Sequence, residues 1–264
     1  MRKLLWVNLF YIAALTVMLT TTAATAFANS AVEIRLALDQ GHFNQAAKMG
    51  QSLATAEGLA LAAEAIAAPV LLGDSENQKD RAKEALTLAK AAVALDPNSQ
   101  EARLQVALAL GFVTRASNPI TVWRKGLAGE LSDAIARHQD LAPNDARGHA
   151  LLGAWHYGIV RKAGKKRALK WYEATFADGN IAYNKALELA PDDIIIKANY
   201  ALSLVETDYQ RHQTRANKML KDAVNTPPKT AIENAVQNRM LSILNNWTDE
   251  RFVVNASGDW LDGK

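Results

Sequence analysis

An all-α fold, a solenoid of about five helical hairpins with a capping helix, follows from three features of the sequence. Alanine, the strongest helix former, supplies 49 of the 264 residues. Fourteen glycines and seven prolines amount to about 8% of the chain, where roughly 12% is ordinary, so helix breakers are scarce. A segment also recurs around three prolines, Pro97, Pro143 and Pro191, at spacings of 46 and 48 residues. In each copy an apolar-periodic helix carries a leucine two residues before the proline (Leu95, Leu141, Leu189). A polar residue follows it (Asn98, Asn144, Asp192), so that proline stops one helix and Asn or Asp can cap the next.

The elements follow in order from these caps and breakers. Gly41 separates helices over 30–40 and 43–54, and an alanine-rich helix covers 57–72. Helices over 78–95 and 99–114 flank Pro97, those over 120–141 and 145–160 flank Pro143, and those over 166–189 and 193–207 flank Pro191. The long helix from Lys166 has a potential kink at Asp178-Gly179. Helices over 211–224 and 229–247 complete the array, the last as the cap, and residues 248–264 lack clear periodicity and either lie over the last helix or fray, with Trp260 a candidate docking point. Ten residues after each proline the side chain is small (Ala107, Gly153, Ala201), which lets two helix backbones approach closely.

With Ala186, Leu187, Leu189 and Pro191 in the third copy and Leu152-Gly153 in the second, the chain resembles the tetratricopeptide-repeat superfamily over about residues 81–206. That resemblance implies a right-handed superhelix of stacked hairpins, here with enlarged repeats, since 34 residues is the usual unit. Short motifs, Ala107–Gly111 and His149–Gly158, are similar to helical periplasmic accessory proteins of TRAP-type transporters. Three domains result: a signal peptide over 1–28, a helical-repeat domain over 29–247 and a C-terminal tail over 248–264. The signal reading rests on Arg2 and Lys3 before an uncharged apolar run, closed by Ala26-Phe27-Ala28. Cleavage after Ala28 predicts a periplasmic protein; left uncleaved, the same stretch would anchor the chain in a membrane.

Function is constrained mainly by exclusion. Without Arg2 and Lys3 the 30 bases become 28, against 27 acids, which gives no support to nucleic-acid binding. The absence of cysteine removes disulfides, thiolate metal sites and cysteine nucleophiles. His149 and His156, seven residues apart on one helix, lie about 10 Å apart along its axis, too far to share a metal. The spacing from Gly158 to Lys166 does not match a phosphate loop. No catalytic motif is present, so a non-enzyme without metal or cofactor is expected.

Two candidate surfaces remain. If hairpins stack as the resemblance implies, the inward positions are Glu101, Leu104, Leu108 and Gly111 in the first repeat, Arg147, Ala150, Ala154 and Tyr157 in the second, and Ile195, Ala198, Leu202 and Val205 in the third. They form either an apolar ligand or partner groove or, if the second helices fill the space, core. Six bases in ten residues, Arg161, Lys162, Lys165, Lys166, Arg167 and Lys170, form either a patch for an anionic partner or a solvated loop. Trp123, Trp155, Tyr157, Trp171, Tyr172 and Phe176 crowd the same third of the chain, as pocket lining or as packing. The expected function is an exported scaffold for a protein partner of the cell envelope. The alternative is a transport accessory holding a small apolar or carboxylated ligand in its concave channel. Oligomeric state is open.

Overall fold

The computed structural model describes residues 30–74 and 76–264; the expected signal peptide lies outside the described residues. Fourteen helices and no strand occur among the described residues, in a repeat-like arrangement in which each helix packs on its neighbours. Helix α1 covers 30–39 and pairs through Ile34 and Leu38 with α2 (Phe43–Leu53) and α3 (Ala56–Leu72). Then follow α4 (Gln78–Leu95), α5 (Gln100–Arg115), α6 (Pro119–Arg124), α7 (Leu127–Leu141) and α8 (Ala146–Ala163). The array ends with α9 (Lys165–Tyr172), α10 (Phe176–Leu189), α11 (Ile194–Thr207), α12 (Tyr209–Asn225), α13 (Ala231–Asn245) and α14 (Glu250–Asp262).

The prolines act as expected, but the caps sit one residue later. Ser99, Asp145 and Asp193, rather than Asn98, Asn144 and Asp192, accept the bonds from Ala102, Arg147 and Ile196 N–H that start α5, α8 and α11. Both long second helices are broken. Gly126, in the left-handed region at φ +64°, separates α6 from α7. Glu173, at φ +54°, ends α9, so the break falls at 173–175 and not at the expected kink in Asp178-Gly179, which lies inside α10. Residues 248–264 are not an irregular tail: Asp249 caps α14, and Trp260 docks on α11, its indole N–H donating to Asn199 Oδ1 at 2.8 Å, with Arg239 of α13 over its ring.

Helices α3, α5, α8, α11 and α13 pack side by side in that order as an inner wall, with α4, α7, α10 and α12 outside it. The wall then closes, because α13 returns to α3 and Gly41 lies against Ala231. This position explains why α3 is apolar on nearly every side: residues 60–63 and 65–68 are all buried, against α2, α4, α5 and the end of the ring.

The close approach of α8 and α10 is built by two glycines. A Cβ at Gly153 would stand 2.6 Å from the ring of Tyr183, and one at Gly179 would stand 2.8 Å from the ring of Tyr157. Each helix therefore seats an aromatic side chain of the other in the space a Cβ would fill. Tyr183 stacks in turn on Tyr200 of α11, ring centroids 4.5 Å apart, so the aromatic packing ties two repeats together. Tyr157 and Tyr200 both donate to Asn180 Oδ1, at 2.8 and 2.6 Å, which satisfies their hydroxyls.

Candidate functional site

The inner wall encloses a cavity of about 720 Å³ that runs from the N-terminal to the C-terminal ends of its parallel helices. Its middle is apolar, with Ala67, Ala68 and Leu71 from α3, Leu108 and Phe112 from α5, and Ala150, Ala154 and Tyr157 from α8. Its ends are charged. At the N-terminal end Arg35 pairs with Glu64 at 2.8 Å, and Arg147 pairs with both Glu101 and Asp145 at 3.1 Å. Asp145 also meets Nε2 of the fully buried His138 at 3.2 Å, while His138 Nδ1 faces the Gln100 carbonyl. Burial pushes the Glu64 carboxyl up, and the Arg35 guanidinium opposes it without cancelling it. Its Oε2 has no partner, and the residue lines the cavity. Asp193, on the same end, is also raised by burial.

The C-terminal end is closed in part by α14. Asp262 takes Arg161 at 2.5 Å and Lys162 at 2.8 Å, and Glu206 lies 3.8 Å from Arg161. Arg115 donates to the Val70 carbonyl, lies over the Phe112 ring at 5.0 Å and packs against Gly263, and burial lowers it to about 10. Bases at these C-terminal ends also suit the negative end of each helix dipole. Gln78 donates to the Gly263 carbonyl at 2.6 Å and Arg239 to that of Lys264 at 2.7 Å, which holds these two residues against α4 and α13.

The α14 clasp makes an acid-dependent contribution to stability. Burial alone would raise Asp262, but hydrogen bonds from Arg161 and Lys162 outweigh it and hold the carboxyl at about 2, below its ordinary 3.8. A depressed acid stabilises the fold above its unfolded-state pKa, so the contribution is complete above pH 4 and disappears as pH falls through about 2. Asp262→Asn is expected to lose about 1 kcal/mol at neutral pH, as befits a pair partly open to solvent. In melting curves from pH 7 to 2, the difference from wild type should be constant above pH 4 and shrink below it. A difference unchanged at pH 2 would show that the charge is not responsible.

Of the expected groove residues, Leu108, Arg147, Ala150, Ala154 and Tyr157 line the cavity. Leu104, Ala198 and Leu202 do not: all three are fully buried between helices and belong to the core. Helix α5 presents Gln105 in place of Leu104, and α11 is turned so that Ile195, Asn199, Ser203 and Glu206 face inward. The six expected bases divide. Arg161 and Lys162 are tied to Asp262, whereas Lys165, Lys166, Arg167 and Lys170 are exposed on α9. The aromatics divide as well: Trp155 is anchored by a bond to the Ala128 carbonyl at 2.9 Å, Tyr157 packs on Phe176 and Tyr183, and Trp123 and Trp171 stand out at the cavity mouth. His149 and His156 are hydrogen-bonded separately, to the Pro143 carbonyl and to the Thr175 N–H.

Glu64, Arg115 and Glu206 were not anticipated as cavity residues. Each shares its helix with another charge that does not line the cavity, Glu57 on α3, Arg103 on α5 and Lys197 on α11, and neither its position in the helix nor its neighbours in sequence mark it as inward-facing.

Comparison with known proteins corrects the assignment made from the repeats. No curated protein matches the chain. Residues 35–248 match the family model described as regulator of microtubule dynamics protein 1-3. The resemblance to the tetratricopeptide-repeat superfamily and to TRAP-transporter accessory proteins is not supported by this match, and the readings drawn from it, an exported cell-envelope scaffold or a transport accessory, are set aside. The alternation of helices and prolines that suggested them belongs to a different helical family. Since the match spans most of the chain, from α1 to the turn before α14, the protein belongs to the regulator of microtubule dynamics protein 1-3 family.

Proposed function

We propose that the chain is a non-catalytic binding module whose ring-shaped inner wall receives a short segment of a protein partner, apolar in its centre and charged at both ends. The observation that carries this reading is the match between an apolar mid-section and two charged rims in one cavity of about 720 Å³, within the range of about 300–1,000 Å³ usual for ligand sites. An extended or one-turn segment would place its apolar side chains beside Leu108, Ala154 and Tyr157. Its charged flanks would meet Glu64 and Asp193 at one end and Arg167 at the other.

Binding rather than catalysis is supported by the state of the titratable groups. Arg35, Glu101, Arg147, Arg161 and Asp262 are engaged in ion pairs, and no serine or threonine hydroxyl among the described residues is given a histidine as base. The family's description, regulator of microtubule dynamics, fits a role exercised through binding.

The test places a photoreactive amino acid at Ala154, on the cavity wall, and at Ile181, on the outer face of α10, in the full chain in its native host. Irradiation is expected to give an adduct with one protein from position 154 and none from position 181, and Ala150→Glu should abolish it. Equal labelling from both positions, or native mass spectrometry showing the cavity filled by a small molecule, would defeat the proposal.

A further inference from the structure

Helices α6 and α9 are short, follow the C-terminal ends of the neighbouring inner helices α5 and α8, and both contribute to the lining of the same cavity. Both expose large apolar side chains: Ile120 is 69% and Trp123 67% exposed on α6, and Leu169 57% and Trp171 54% on α9. These four account for much of the exposed large apolar surface among the described residues, and three of them border the cavity mouth. Four of the ten exposed large apolar side chains among the described residues thus stand on these two short helices, and such a concentration at one lip marks an interaction surface.

The same two helices carry the bases Arg124, Lys125, Lys165, Lys166, Arg167 and Lys170, and none of them has an ion-pair partner among the described residues. No acid occurs between Pro119 and Gly126 or between Arg161 and Tyr172. The acids close by are already engaged: Glu130 by Lys90 at 2.9 Å, Asp178 by Thr175 at 2.6 Å, and Asp262 by Arg161 and Lys162. Glu173, beyond the end of α9, is the exception.

We propose that α6 and α9 together form a docking surface for an anionic lipid bilayer, with Ile120, Trp123, Leu169 and Trp171 entering the headgroup region and the six bases contacting lipid phosphates and carboxylates. The side chains protrude from two short helices instead of lining a recess, which suits a deformable interface better than the fixed relief of a folded protein. Tryptophan beside long basic side chains is the combination that a headgroup layer accepts, because the rings stay at the boundary while lysine and arginine stems lie along it and keep their charges in water. Six unneutralised bases supply the long-range attraction that the apolar contacts lack, and salt screens it.

The absence of cysteine makes a direct test possible in the full chain. An environment-sensitive fluorophore is attached to single cysteines in Ile120→Cys, Leu169→Cys and, as a control on a distant exposed face, Ile181→Cys, and vesicles of phosphatidylcholine with or without phosphatidylserine are added. Emission at 120 and 169 is expected to shift to the blue and rise with phosphatidylserine vesicles, to respond weakly to phosphatidylcholine alone, and to remain unchanged at 181. Reversing Lys165, Lys166 and Lys170 to Glu should weaken the response by about a hundredfold in lipid concentration. No shift at 120 and 169, an equal shift at 181, or an equal response to polyglutamate, which would assign the surface to an acidic protein, overturns the proposal. The three positions share one N-terminal segment, so any attachment through that segment affects all of them alike.

Discussion

Gly153→Leu is expected to remove most of the protein's stability, about 3 kcal/mol or more. Even the first added carbon would lie 2.6 Å from Tyr183, a fully buried ring. That ring cannot move aside, since its other face is stacked on Tyr200 and Tyr157 lies 5.9 Å away. The gain of about 1 kcal/mol that a helix makes on losing a glycine is too small to offset the overlap. Tyr183→Ala in the same chain should restore part of the loss by making room, although each single variant is destabilised. Chemical denaturation of the two single variants and the double variant checks this coupling; a Gly153→Leu protein that melts like wild type would contradict the close approach of α8 and α10.

Two substitutions with identical chemistry should have opposite outcomes. Ala198→Glu places a carboxylate where α11 is fully buried against the core formed with α12 and α13, with no partner base, and a buried unpaired charge costs several kcal/mol. It is expected to prevent folding. Ala154→Glu puts the same group on the exposed wall of the cavity and should change the melting temperature by only a few degrees. Circular dichroism and thermal melts of the pair separate the two positions. If both variants collapsed, the α8 side of the cavity would be core; if both folded, the orientation of α11 would be wrong.

That contrast also marks how far the sequence could be read. The prolines and small residues located the inner helices, and in α8 the inward positions Arg147, Ala150, Ala154 and Tyr157, counted from Pro143 at the offsets of a stacked hairpin, fall on the cavity face. In α11 the more apolar stripe reads as the inward one, and pattern alone cannot say that it faces α12 and α13 instead. The helix buries its Ala198 and Leu202 stripe and turns Asn199, Ser203 and Glu206 to the cavity, residues that look like a solvent face when read in sequence. Glu173 ends α9 in a left-handed conformation without a glycine, so no local signal announced that break. Helix α14 was obscured by Gly258 and by its polar content, yet Val253, Ser257 and Trp260 form one buried stripe along it. The family itself was not legible, because short proline-centred motifs recur in unrelated helical arrays.

The return of α13 to α3 alters what kind of object the array is. A linear stack of repeats has two ends, frays from them, and adjusts its pitch by sharing small rotations along its length. A closed circuit has no terminal repeat, and a rotation at one junction must be compensated at the others before the seam can stay shut. The aperture at its centre is therefore set by the whole circumference, so a substitution at the α3–α13 seam reaches the cavity as directly as one on its wall. Chain order adds an asymmetry: α2, α4 and α5 cover most of α3 early, but its seam face waits for α13, which makes the completed circle the product of the last helices and not of the first.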